Sequence, residues 1–398
     1  MLALNRNRRT MLGAGAAAAC ATLLVSGCSD LSSQVEPEAV SLEAGQLLTH
    51  SALDSAAALP SAASTQLITY ASEGAAGEPI VVSGTVAIPS TPAPADGYPV
   101  ISWAHGTSGF ADGCAPSLDT ADGPVHGYFS LATDYLDDWV ARGYAVVQTD
   151  YEGLGTPGGH TYLNGVSESN TVIDIVRAAR QLDDSLGPDW LVMGHSQGGQ
   201  ATLFAAQNGP DRAPELNLKG AVAMAPGGAA IPGLIQAIAA GKQVPAVAGA
   251  FLPLIVLGAQ AAAPSIDPGV LLSDAAQPLL TTARTGCLAQ LSGAEPVPSD
   301  QLIRAGADLE PIVGYLEKQN PGAVTPKVPT MIAQGSEDMV VSKPEVDNVA
   351  AELCKVAPID YRVYPGQDHR GAITASEADT AGFVAAVMAD DEVVSTCS

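Results

Sequence analysis

Trp190-Leu191-Val192-Met193-Gly194-His195-Ser196-Gln197-Gly198-Gly199 is the stretch that decides the fold. Four large apolar residues predict a short buried strand, and residues 200–208 predict a helix. Between them stands Gly-x-Ser-x-Gly. In a strand–turn–helix setting the two glycines permit a tight turn that lifts a serine hydroxyl above the end of a sheet. The helix N-terminus behind it favours developing negative charge. Ser196 is therefore the candidate nucleophile.

Working outward, residues 98–104, 144–149, 220–225, 328–333 and 359–364 are further short runs rich in Val, Ile and other apolar residues, as expected of parallel strands buried on both faces. A helix is expected over 168–184, because Val172, Ile175, Val176 and Ala179 fall on one face. Asn170 is its candidate N-cap. Alternation of strands and helices implies a mostly parallel central sheet with helices on both faces. Residues 66–72 and 79–89 are read as a leading hairpin.

Residues 227–326 break the alternation. They are rich in Ala, Pro, Gly and Leu, show no clear strand and fall between two sheet strands, so they predict a helical cap inserted into the core. The charge-free run 246–263 could pass for a membrane span, but Gly249, Pro253 and Gly258 interrupt it, and a span there would split the sheet. It must be covered by the core, the cap or a substrate chain. Leu254 and Val256 are the positions expected to test an acyl channel. The expected organisation is an export signal at 1–27, a tether and short leading helix over 28–64, the core at 65–226 and 327–398, and the cap at 227–326.

A serine nucleophile needs a base and an acid. Of six histidines only His369 follows Ser196, and it stands after the last predicted strand. In an α/β-hydrolase fold the catalytic order is Ser, acid, His. Neutral His369 is thus the candidate base. The acid belongs after the strand at 328–333, where Asp338 is preferred over its neighbour Glu337 and over Asp368. Two oxyanion donors are expected. One is the Gln197 N–H; the other is the Thr107 N–H in His105-Gly106-Thr107-Ser108-Gly109, with Gly106 and Ser108 as near alternatives. His195 is read as packed support, and residues 150–155 as a structural loop near the site.

The N-terminus carries a compartment signal. Arg6, Arg8 and Arg9 precede an uncharged, mostly apolar run from Met11 to Ser26, the layout of an export signal. Leu24-Val25-Ser26-Gly27-Cys28 resembles a bacterial lipobox, which makes Cys28 the candidate lipidation site and the start of the mature chain. Arg8-Arg9 also weakly matches a twin-arginine signal. Cys114, Cys287, Cys354 and Cys397 remain; an even number in an exported chain suggests two disulfides, with three pairings open. Their spacing matches no zinc pattern. Acidic residues outnumber basic ones 42 to 17, which argues against nucleic acid as a partner.

Taken together, His105-Gly106-Thr107, Asp150-Tyr151-Glu152-Gly153-Leu154-Gly155, Gly194-His195-Ser196-Gln197-Gly198-Gly199 and the Asp338 and His369 loops resemble the secretory lipase family, the group that includes the yeast lipase A type. The resemblance runs from about residue 60 to the end. It implies an α/β-hydrolase fold with a cap, lipase or esterase activity on lipid or small ester substrates, no metal and no organic cofactor. It also implies the disulfides Cys114–Cys287 and Cys354–Cys397. The lipobox departs from the fungal members, so a cell-surface or membrane-anchored form is expected here. The same triad would also suit an acyltransferase or a peptidase, and a catalytically dead surface lipoprotein is the alternative outside enzymes.

Overall fold

The computed structural model describes residues 42–397; the expected export signal, Cys28 and the start of the tether lie outside them. The strands are β1 (Leu47–Ala52), β2 (Ala62–Glu73), β3 (Pro79–Pro89), β4 (Tyr98–Ala104), β5 (Ala145–Thr149), β6 (Leu186–His195), β7 (Asn217–Met224), β8 (Thr330–Gly335) and β9 (Ile359–Tyr364). They form one sheet in the order β1-β2-β3-β5-β4-β6-β7-β8-β9. The first strands run antiparallel, and every pair from β5 to β9 is parallel.

Both faces of the sheet are covered. Ile101, Trp103, Leu191, Met193 and Val222 point to one side, against α1 (His126–Ala141) and α12 (Glu377–Met388). Val100, Trp190, Val192 and Ala221 point to the other, against α2 (Gly165–Leu182) and α3 (Gln197–Arg212). This explains why the strands lack a polar alternation: each side chain is buried whichever way it faces. At the far edge α10 (Lys343–Leu353) packs over β8 and β9, and a short helix α11 (Gly371–Ala375) precedes α12.

Between β7 and β8 come α4 (Ile231–Ala239), α5 (Ala246–Ala262), α6 (Pro268–Leu271), α7 (Gln277–Thr285), α8 (Leu288–Ser292) and α9 (Glu310–Glu317). These helices have an apolar cluster of their own, built on Leu252, Leu254, Leu257, Leu279 and Ile312, and joined from the core by Tyr162 and Leu163, with Phe110 packed against it. No described helix is long and apolar enough to cross a membrane.

Several local expectations are corrected. The segment before residue 65 forms an edge strand, not a leading helix: β1 pairs with β2, and Thr49 Oγ1 lies 2.7 Å from Thr69 Oγ1. Pairing of that kind is tertiary and leaves little local signal. Helix α2 starts earlier than 168, and its cap is Asn164, whose side-chain oxygen accepts the Ser167 N–H at 2.9 Å. Asn170 is buried inside the helix and donates to the Glu73 carbonyl. Leu254 and Val256 are fully buried in the cluster of the inserted helices and line neither of the cavities at Ser196.

The inserted helices lie directly on the core at Gly258. A Cβ there would stand 2.6–2.7 Å from the Cβ, N and O atoms of Tyr162, two of them backbone. Gly258→Ala must therefore push α5 off the Tyr162 backbone. A loss of about 1–3 kcal/mol is expected, read as a lower urea midpoint.

Candidate active site

Ser196 sits between β6 and α3 with φ 61° and ψ −115°, outside the regions an L-residue prefers. The flanking glycines are obligatory. A Cβ on Gly198 would collide with the Ala104 carbonyl, and one on Gly194 with the Gly198 backbone. The turn is held by the Ser196 N–H donating to the Met224 carbonyl at 2.8 Å, and by the Gly227 N–H donating to the Ser196 carbonyl at 3.2 Å.

The structure brings the three candidate catalytic side chains into a line. His369 Nε2 lies 2.9 Å from Ser196 Oγ, and His369 Nδ1 lies 2.7 Å from Asp338 Oδ2. The carboxylate can only accept, so Nδ1 carries the proton and Nε2 is left to accept from the serine hydroxyl. Asp338 is buried, and its other oxygen accepts the N–H groups of Val340 and Val341 at 2.8 and 2.9 Å. Glu337 and Asp368 are exposed, and neither meets the imidazole; Asp368 instead accepts the Gly371 N–H.

His195 supports the base. Its Nε2 donates to the His369 carbonyl at 2.8 Å, and its Nδ1 lies 3.1 Å from the Tyr128 hydroxyl, which accepts the Gly106 N–H at 2.7 Å. Burial holds the His195 pKa well below the usual imidazole range, so it stays neutral. Tyr128 gives no sequence signal, because its partners are far away in the chain.

Thr107 lines the same cavity as Ser196 and is buried. Its hydroxyl lies 2.8 Å from the Tyr162 hydroxyl. Gln197 opens α3, where N–H groups have no partner inside the helix. The loop after β5 is structural: buried Asp150 accepts from the Ser83 hydroxyl at 2.6 Å and from the Ser117 N–H at 2.9 Å. Cys114 is bonded to Cys287, and Cys354 to Cys397, as the family resemblance implies. The first ties the loop after β4 to the inserted helices, beside the Leu288 N–H donating to the Ser108 carbonyl.

Two cavities meet at Ser196. One, of about 410 Å³, lies on the His369 side and reaches Thr107 and Arg370. The other, of about 230 Å³, lies on the Gln197 side among Leu163, Ile231, Leu234 and Ile255. Val247 and Phe251 of α5, with Met339 and Val340, border both.

Known proteins resemble this chain in family and in fold. The secretory lipase family profile matches residues 131–378. Lipase A of Moesziomyces aphidis is 30% identical over 165 residues, which is 40% of this chain; that alignment spans about a third of the relative, 34% of its length. Lipase A of Candida antarctica superposes with a TM-score of 0.76 at 22% identity, over 89% of this chain and 84% of that one. A mutant of the rice cell wall degrading esterase LipA from Xanthomonas oryzae superposes with a TM-score of 0.69 at 19% identity, over 88% of this chain and all of the other. These neighbours share the α/β-hydrolase fold.

Because only Asp338 meets the imidazole, Asp338→Asn should lower kcat by roughly 10⁴-fold, the scale seen when a triad acid is neutralised. Glu337→Gln should change it little. Steady-state rates on a soluble activated ester check both, and a large loss in the Glu337 variant would move the acid by one residue.

Proposed function

This chain belongs to the secretory lipase family, and from that premise we propose that it is an exported carboxylic-ester hydrolase working through Ser196, His369 and Asp338. The observation that carries the reading is the hydrogen-bonded line from Asp338 through His369 to Ser196, standing where two cavities converge. His369 Nε2 takes the Ser196 proton as Oγ attacks the ester carbonyl, and the N–H groups of Gln197 and Thr107 receive the oxyanion. Collapse returns that proton to the leaving alcohol and leaves an acyl group on Ser196. Water, deprotonated by the same imidazole, then releases the acid.

The protonated base must reach the leaving oxygen, so the cavity on the His369 side takes the alcohol and the one on the Gln197 side takes the acyl chain. The cavity so assigned to the acyl chain is the smaller of the two, about 230 Å³. Its lining is mostly aliphatic, and each buried methylene adds up to about 0.8 kcal/mol. Esters of medium-length fatty acids are the substrates this supports.

Export and anchoring belong to the same proposal. The basic and apolar stretch before Cys28 supports export with acylation of Cys28, giving a lipid-anchored enzyme at the membrane surface. Two disulfides are in keeping with an oxidising compartment.

A series of p-nitrophenyl esters from acetate to palmitate should show kcat/KM rising to medium chains and then levelling, with Ser196→Ala inactive throughout. Leu234→Trp, which fills the acyl cavity, should depress octanoate turnover far more than acetate turnover; equal losses would separate that cavity from the acyl group. Metabolic labelling with a palmitate analogue should persist in Cys20→Ala and vanish in Cys28→Ala. Equal labelling of the two variants would remove the anchor.

A further inference from the structure

Glu168 is fully buried in the first turn of α2, directly behind the turn that follows Ser196. Its Oε1 accepts the Gln197 side-chain amide at 2.7 Å and the Leu163 N–H at 2.9 Å. The second hydrogen of the same amide goes to His160 Nε2, 3.0 Å away. His160 can accept there because its Nδ1 proton is used on the Glu152 carbonyl at 2.9 Å. Both donors of the Gln197 amide are thus consumed, and its orientation is fixed. Glu168 Oε2 has no partner among the described residues.

A helix-turn acid whose only duty was the Leu163 N–H could sit in solvent. Burying a carboxyl with no cation beside it is costly, and it is informative where it occurs next to a reacting group. We propose that Glu168 is a positioning residue for the hydrolytic site: it holds the Gln197 side chain, and through it the Gln197 N–H, where the oxyanion forms. The inference rests on the hydrolase reading above. The other end of the segment is fastened to α9 and the residues just after it: Asn164 Nδ2 donates to the Tyr315 hydroxyl at 3.1 Å, and the Gly165 N–H donates to Gln319 Oε1 at 3.0 Å.

The titratable groups facing Glu168 are Glu152 and Tyr151 from the loop after β5, His160 and Tyr162 from the loop before α2, and Tyr315 from α9. None supplies a positive charge: desolvation holds His160 down at about 3. Desolvation also pushes Glu168 up to about 8. Below that pH the carboxyl is neutral and serves as an acceptor. Above it, a negative charge lies behind the oxyanion donor and opposes the charge that develops there. Turnover should therefore fall as pH rises through about 8.

The test uses variants of the full chain, with kcat, KM and thermal midpoint measured side by side. Glu168→Leu should lower kcat about 10- to 100-fold, the scale of a displaced reacting geometry, with KM little changed. Glu168→Gln keeps an acceptor oxygen, so it should turn over near the parent rate at pH 7 and lose the alkaline fall. In a Gln197→Leu background, Glu168→Leu should add no further loss of kcat, because the path through the amide is already cut. Should Glu168→Leu fail to fold, the pH profile of Glu168→Gln decides alone. An alkaline fall that survives in Glu168→Gln, or a Glu168→Leu enzyme with parental kcat and only a lower midpoint, overturns the role. Residual turnover in Ser196→Ala would instead overturn the hydrolase reading itself.

Discussion

Gly198 packs against the carbonyl of Ala104 with no room for a side chain between them, and the rest of the site depends on that approach. It brings the N-terminus of α3 onto the end of β4, so that Thr107, following β4, and Gln197, opening α3, belong to one small region around Ser196. The nucleophile can occupy its strained conformation, at a cost on the order of 1–3 kcal/mol, because neighbouring strands hold it there. Met224 and Gly227 fix its backbone from the β7 side. A hydroxyl held in this way does not have to be ordered when substrate arrives, which is where preorganisation lowers a barrier.

The proposed base and acid follow β9 and β8, and their alignment is backbone-directed too. The Asp338 carboxylate is pinned by two N–H groups of its own loop, and His369 by a bond from its carbonyl to His195, the residue next to the nucleophile. The inserted helices then close over this frame at separate points: the Cys114–Cys287 disulfide, the contact of Gly258 with Tyr162, and the bonds from Asn164 to Tyr315 of α9 and from Gly165 to Gln319 just after it. One of these reaches Tyr162, whose hydroxyl meets Thr107, and another reaches the start of α2, one turn before Glu168, which holds Gln197.

What the sequence made legible was whatever chemistry concentrates in a few adjacent residues. Gly194 to Gly198, with a strand before and a helix after, spell a sharp turn around Ser196, and strands buried on both faces are apolar throughout. His369 was identifiable by elimination, as the only histidine after Ser196. The choice between Asp338 and Glu337 was harder, because adjacent residues on a loop differ only in which way the backbone points them. Beyond local reach were β1, an edge strand whose exposed side chains lack an apolar pattern, and the true start of α2, which Asn164 caps in place of the expected Asn170. Glu168 carries no local signal of its surroundings. Its burial becomes visible only when residues 29 positions away fold onto it.

The division of α5 between two surroundings bears on how specificity is set. Leu252, Leu254, Val256 and Leu257 hold the inserted helices together, while Phe251 and Ile255 pack in the same cluster and, with Val247, also border the cavities at Ser196. Leu254 stands three and seven residues from Phe251 and Val247, on the same side of the helix, so the cavity wall and the cluster are built from one continuous surface. The inserted helices also have their own apolar cluster, which the core joins through Tyr162 and Leu163, with Phe110 packed against it. Changes at Val247, Phe251 or Leu234 therefore bear first on these helices and on the cavity proposed for the acyl chain. Close packing transmits a change of a single methylene, so such a change is felt within the inserted helices before it reaches β6 and α3. Tyr162 is the exception, because it touches both α5 and Thr107. A change there would alter binding and turnover together.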